Sequence, residues 1–210
     1  MNEITALKIE VFGLCGDKAN SYGVTMRLLD KENRFNIANL VTFTNIALGV
    51  IAIYFIVKGD FFIAIVLAWI AGACDIADGK LARRYGLSTE FGVQLDSFAD
   101  FLSFVVMPSF LLFYALGSGI ASTFQEIIVG IVFILYIIMG LRRLVEFNLK
   151  TGAGEVEKFF EGVPTPLGAI LLWILYLIYS YGVVENVYVI TLLVAAIAWS
   201  LNSRIKIPHP

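Results

Sequence analysis

The stretch Phe61-Phe-Ile-Ala-Ile-Val-Leu-Ala-Trp-Ile-Ala-Gly-Ala-Cys74-Asp75-Ile-Ala-Asp78-Gly79-Lys80-Leu-Ala82-Arg83-Arg84 decides the fold. A run of fourteen uncharged residues leads straight into a cluster of acidic and basic side chains. Only a bilayer or a very large core removes such a run from water. The whole chain points the same way: of its 210 residues, 59% are hydrophobic and only 15% charged, with a mean hydropathy of +0.85. A soluble domain carries roughly 25% charged and about 45–50% apolar residues. One core built from so short a chain cannot enclose that much apolar surface. The fold class is therefore an all-α integral membrane protein.

Working outward from this stretch, six apolar segments run at approximately 37–57, 61–79, 95–117, 125–147, 166–184 and 186–203. A spanning helix needs about 20 residues, so the second and the last only just suffice. Gly59, Gly117-Ser-Gly119 and Gly182 punctuate them. Lys80, Arg83 and Arg84 follow the second span, and Arg142, Arg143, Lys150 and Lys158 surround the connection between the fourth and fifth. Arg27, Lys31 and Arg34 precede the first span, and Arg204 and Lys206 follow the last. Those twelve basic residues face Lys58 alone on the other side. By the positive-inside rule both termini, and segment 75–100, face the cytoplasm across the cell membrane.

Residues 1–35 lack the apolar core of a signal peptide. They read as a cytoplasmic extension, either a short surface helix or a loose tail, ahead of one membrane domain at 36–210. No basic, aromatic-interleaved tract marks a nucleic-acid groove. Cys15 and Cys74 are too few for a disulfide framework. The single histidine, His209, sits one residue from the end, which argues against histidine-based catalysis or metal binding.

The acidic cluster carries the chemistry. Asp75 and Asp78 are followed, after a short connection, by Gly92-Val-Gln-Leu-Asp96-Ser-Phe-Ala-Asp100. On a helix Asp75 and Asp78 lie about 60° apart, and Asp96 and Asp100 about 40° apart. The connection makes the two helices antiparallel neighbours, so both pairs project into one crevice. A carboxylate at the bilayer centre costs about 2.5–3.5 kcal/mol, and four together repel unless cations neutralise them. A single aspartate at a helix end is most often a cap or a solvated residue; four at these spacings are not. Such hard oxygen ligands suit Mg²⁺, Mn²⁺ or Ca²⁺, with a phosphate-bearing substrate completing the shell. Gly79 opens the helix to close approach, Ala82 keeps the face shallow, and Arg83 offers a forked contact to phosphate oxygens.

The pattern Asp75-x2-Asp78-Gly79-x2-Ala82-Arg83-x8-Gly92-x3-Asp96-x3-Asp100 resembles the complete motif of the CDP-alcohol phosphatidyltransferases. That resemblance implies a six-helix membrane fold, a homodimer, and two divalent metals, Mg²⁺ or Mn²⁺, at the cytoplasmic mouth. It implies Asp75, Asp78 and Asp96 as metal ligands, with Asp100 at the same site as the general base. Arg83 would bind phosphate, Gly79 and Ala82 would border the cytidine, and Asp75 would lie against the CDP-lipid. Asn39 and Thr42 resemble the first-helix residues that contribute to nucleotide binding.

Three further segments resemble the phosphatidylserine synthase branch: residues 36–45, Phe160-Glu-Gly162-Val-Pro164-Thr-Pro166, and Ser203-Arg-Ile-Lys-Ile-Pro208. The implied reaction transfers the phosphatidyl group of CDP-diacylglycerol to L-serine, forming phosphatidylserine and CMP. One departure stands out. Where the branch commonly has Arg-Leu-Ala-Arg-Phe-Asn, this chain has Arg143-Leu-Val-Glu146-Phe147-Asn148. Arg142 or Arg143 would clamp the serine carboxylate and Glu146 would meet its ammonium group, or else these are topology charges and a compensating pair. Pro164 and Pro166 either belong to the branch segment or simply begin the fifth span. Alternatives are a related transferase using glycerol phosphate, inositol phosphate or another alcohol, and a divalent-cation channel or transporter. Glu146 argues against a phosphorylated acceptor. An ion pathway leaves Gly79, Ala82 and Arg83 without a role.

Overall fold

The computed structural model describes residues 28–152, 159–161, 163–203 and 206–208. Most of the expected N-terminal extension, together with Lys158, Gly162, Arg204 and His209, lies outside the described residues. Among the described residues six apolar helices form the body: α1 (Ile37–Lys58), α2 (Phe61–Tyr85), α3 (Glu90–Gly119), α4 (Thr123–Gly152), α5 (Thr165–Ser180) and α6 (Val187–Leu201). The first four are long and apolar enough to cross a membrane. The chain is an integral membrane protein by that measure.

Helices α5 and α6 have 16 and 15 residues, about 24 and 22 Å at the helical rise, against a hydrocarbon core of about 30 Å. The expected spans at 166–184 and 186–203 are thus trimmed where they meet. Tyr181 and Gly182 turn the chain, the glycine at φ 69°, and the Asn186 side chain caps α6 by accepting from the Tyr188 N–H at 2.9 Å.

At the other end the helices run longer than the apolar pattern alone indicates. Helix α2 continues beyond residue 79 to Tyr85, because Lys80, Leu81, Ala82, Arg83 and Arg84 are all good helix formers. Gly86 stops it in the left-handed conformation at φ 64°, and the Leu87 N–H closes back on the Ala82 carbonyl at 2.9 Å. Helix α3 starts at Glu90, five residues before the apolar stretch. Thr89 caps it, its Oγ1 accepting from the Gly92 N–H at 3.0 Å. Only residues 86–89 join the two helices. Asn36 caps α1 in the same way, accepting from the Asn39 N–H at 2.9 Å.

Helix α3 is continuous but not uniform. It is α-helical over Glu90–Asp100, π-helical over Phe101–Val106 and α-helical over Met107–Leu116, ending in a 3₁₀ turn at Gly117–Gly119. Pro108 lacks an N–H to donate to the preceding turn. The wider turn accommodates it, with the Met107 N–H reaching Leu102.

Antiparallel α1 and α2 pack against each other along their length, and α1 also meets α3. One core joins Ala52, Ile56, Ala64, Met107 and Leu111; the larger one lies among α3, α4, α5 and α6 around Leu112, Phe133, Tyr136, Leu172 and Val194. Gly140 lets α4 sit tightly on the π-helical turn: an added Cβ would lie 2.6 and 2.8 Å from the two Val105 methyls. Gly140→Ala is therefore expected to destabilise the protein by about 1–3 kcal/mol, read as a lower midpoint in thermal denaturation in detergent.

The all-α expectation needs one addition. Phe159–Glu161 (β1) pairs antiparallel with Lys206–Pro208 (β2), Phe160 opposite Ile207. Two segments singled out in the sequence for resembling one branch of a family thus lie side by side.

Candidate metal and phosphate site

The C-terminal half of α2 and the N-terminal end of α3 face the beginning of α1, because short connections fold these helices back on one another. The Thr42 hydroxyl on α1 donates to Asp78 Oδ2 on α2 at 2.6 Å, which pins the two helices in register. Carboxylate oxygens of Asp75, Asp78 and Asp96 all lie within 4.8 Å of one another. Asp100, one turn beyond Asp96, is in side-chain contact with Asp75. The four aspartates that the spacing placed on two helical faces therefore share one cluster.

Their bonding is incomplete. Asp75 Oδ1, Asp78 Oδ1 and Asp100 Oδ1 are buried without a hydrogen-bond partner. Buried polar atoms are ordinarily satisfied, and converging carboxylates without counter-charge are costly. No arginine or lysine ion pair to these aspartates occurs among the described residues; the pair found there joins Arg142 to Glu146. Orphaned, hard, anionic oxygens at this separation fit divalent cations with oxygen ligands.

Beside the cluster opens a cleft of about 170 Å³, walled by α1, α2, the 86–89 connection and α3. Asn39, Thr42, Asp78, Gly79, Ala82, Arg83 and Asp96 all line it. Gly79 and Ala82 leave the α2 wall shallow. The Arg83 guanidinium folds back along its helix, with Nη1 3.4 Å from where a Gly79 Cβ would stand. Asn39 spends its amide N–H on the Arg34 carbonyl at 2.9 Å, while its Oδ1 faces Gly92 across the cleft. A polyanion entering here meets a forked cation on one side and the aspartate cluster at its floor.

Three sequence candidates lie apart from this wall. Arg142 and Glu146 form an exposed ion pair one helical turn apart, Nε to Oε1 at 2.8 Å. Arg143 is buried on the inner face of α4, only 6% exposed. Helix α4 nevertheless ends at the aspartate side of the molecule, since Asn148 Nδ2 donates to Ser97 Oγ at 2.7 Å. Leu87, Ser88, Thr89 and Val93 also line the cleft and were missed by the motif. The signal for Thr89 was present as a hydroxyl residue directly before Glu90 and an apolar helix.

The CDP-alcohol phosphatidyltransferase family model matches residues 35–201. The chain belongs to that family. Among curated relatives, a Helicobacter pylori protein named CDP-diacylglycerol–serine O-phosphatidyltransferase is 30% identical over 134 residues, covering 64% of this chain and 54% of the relative. A Bacillus subtilis protein of the same name is 28% identical over 171 residues, covering 81% and 88%. An archaetidylserine synthase from Methanothermobacter thermautotrophicus is 29% identical over 173 residues, covering 81% and 69%. The chain thus spans about half the length of the Helicobacter protein. The CDP-alcohol phosphatidyltransferase match takes in α1 to α6 and every residue of the cleft.

Proposed function

We propose that this protein is a metal-dependent CDP-diacylglycerol–serine O-phosphatidyltransferase of phospholipid biosynthesis. The observation that carries the reading is the aspartate cluster with its orphaned oxygens at the floor of a cleft bearing Arg83. The serine acceptor draws its support from the names of the relatives and from the paired segments at 159–161 and 206–208.

Asp75, Asp78 and Asp96, with Asp100 adjoining, would hold two divalent cations, Mg²⁺ or Mn²⁺. Bound there, such ions neutralise a diphosphate and make its lipid-linked phosphorus more electrophilic. Thr42 orients the Asp78 carboxylate from the second rank. Arg83 takes a phosphate oxygen pair in its fork, while Asn39, Gly79 and Ala82 leave room for the cytidine. The Asp100 carboxylate accepts the proton of the serine hydroxyl as its oxygen forms a bond to the lipid-linked phosphorus. The bond between that phosphorus and the bridging oxygen breaks, and CMP leaves with the oxygen. Buried Arg143 at the aspartate end of α4 is a candidate for the serine carboxylate. Arg142 and Glu146 complete the acceptor side as a charged pair on the neighbouring face. The six helices would span the cell membrane with the cleft and both termini towards the cytoplasm, as the distribution of basic residues favours. Two copies would form the working unit.

Gly92 tests the cleft. A Cβ at this position would lie 3.0 Å from Asn39 Oδ1 and 3.3 Å from Thr89 Oγ1, so Gly92→Ala pushes both into the nucleotide's space. Its expected effect is a roughly tenfold higher KM for the CDP-lipid, a change of about 1.4 kcal/mol, with kcat little altered.

The acceptor is tested by product analysis. Purified protein is supplied with CDP-diacylglycerol, Mn²⁺ and, in separate reactions, L-serine, glycerol phosphate, inositol phosphate and ethanolamine, and the lipids are identified by mass spectrometry. Phosphatidylserine as the sole new lipid supports the reading; a different phosphatidyl alcohol moves the protein to another branch of its family.

A further inference from the structure

Directly beneath the aspartate cluster lies a second buried polar pair that the reaction as described does not use. Asn45 on α1 is fully buried, at 0% exposure, and Ser103 on the π-helical turn of α3 is 3% exposed. The Ser103 hydroxyl donates to Asn45 Oδ1 at 2.7 Å. In that bond the amide oxygen is engaged, and Nδ2 is left buried without a partner. An amide donor with no acceptor in an apolar helix interface costs about 1–3 kcal/mol. A core that wanted only volume here would carry leucine.

The register of the helices says what the donor faces. Thr42 is bonded to Asp78, and α1 and α2 run antiparallel. Three residues further along α1 is Asn45, and three residues back along α2 is Asp75. On the third helix Ser103, the partner of Asn45, lies three residues after Asp100. Asn45 therefore sits at the level where α2 presents Asp75 and α3 presents Asp100, the two carboxyls in contact with each other. Each of these has an orphaned buried Oδ1. One unpartnered donor and two unpartnered acceptors thus share one depth of the same three-helix interface.

We propose that Asn45 is a positioning residue for the cation site: held through its Oδ1 by Ser103, it offers its unpartnered amide N–H to the Asp75–Asp100 carboxyl pair as those carboxyls take up cations. The inference rests on reading the aspartates as cation ligands, but not on the identity of the acceptor alcohol. Second-rank hydrogen bonds of this kind orient metal-binding carboxylates, and their loss costs about 10–100-fold in metal affinity or activity. The π-helical turn has a purpose in this arrangement. It begins at Phe101, immediately after Asp100, and its extra residue per turn sets the angular position from which Ser103 reaches Asn45 on α1.

The test is Mn²⁺ binding by the full chain in detergent, without any lipid, read from the loss of the free-ion electron paramagnetic resonance signal. Asn45→Leu keeps the volume and removes the donor; it is expected to weaken Mn²⁺ binding about 10–100-fold and to lower kcat while leaving the KM for CDP-lipid unchanged. Ser103→Ala releases the amide with little loss of volume and should weaken Mn²⁺ binding in the same direction by a smaller factor. If Asn45→Leu does not fold, Ser103→Ala decides alone. Wild-type Mn²⁺ affinity in either folded variant overturns the proposal, since a residue that merely packs would change the unfolding temperature and leave the ion untouched. A wild-type protein that binds Mn²⁺ but does not phosphatidylate serine would remove the acceptor assignment and leave the role of Asn45 standing.

Discussion

Asp100→Asn will leave a folded membrane protein whose kcat is about 10²–10⁴-fold lower, the usual worth of a general base. Asparagine keeps the shape of the side chain and its reach to Asp75, but it cannot accept the acceptor's proton. The KM for CDP-lipid should stay near the wild-type value, because Asp100 is absent from the cleft wall that runs from Asn39 to Asp96. Measured as CMP release at saturating lipid and alcohol, a loss below tenfold would take the proton from Asp100 and give it to another group.

The second large effect concerns the cations. Chelation is expected to reduce transfer by at least about 10³-fold, since stabilisation of the transferring phosphoryl charge is worth several kcal/mol, and added Mg²⁺ or Mn²⁺ should restore it. Asp96→Asn should behave like permanent chelation, with an opposite consequence for stability. Its carboxylate lies within 4.8 Å of those of Asp75 and Asp78, so neutralising it relieves like-charge repulsion in the metal-free protein. We expect the metal-free variant to gain about 1 kcal/mol of stability and to lose most of the stabilisation that Mn²⁺ confers on the wild type. A thermal unfolding series with and without Mn²⁺ reads both signs. A variant less stable than wild type in the absence of metal would mean that the cluster is held by structure rather than by ions.

Much of this site was legible in the amino-acid order because it is built from local rules. Asp75 and Asp78 share a face by helical spacing, as do Asp96 and Asp100, and a short connection brings the two faces together. The structure shows that connection to be shorter than the apolar pattern suggests, since Lys80 to Tyr85 extend α2 and Glu90 begins α3. Charged residues outside the bilayer do not register in hydropathy, yet they are good helix formers. The last two helices were overestimated for the converse reason. Apolar residues such as Tyr181 and Val183 continue the hydrophobic run through a turn set by the positive φ of Gly182.

What was not legible depends on contacts between distant residues. Asn45 reads as one polar residue in an apolar helix, and only the fold brings Ser103, 58 positions away, to its Oδ1. The π-helical turn after Asp100 has no local signature apart from Pro108. The strand pairing of 159–161 with 206–208 joins three-residue segments too short to show any period. The charges on α4 divide in the same way. Arg142 and Glu146 are i, i+4 neighbours and their pairing follows from spacing, whereas the burial of Arg143 at 6% exposure comes from how α4 packs.

The most direct measurement of the central claim is CMP release by the purified wild-type protein from CDP-diacylglycerol, with and without L-serine, before and after chelation. The account predicts release that requires both serine and Mg²⁺ or Mn²⁺ and stops when the ion is removed. Release unaffected by chelation, or no release with any alcohol from protein that binds Mn²⁺, would contradict the reading of the four aspartates as a phosphatidyl-transfer site.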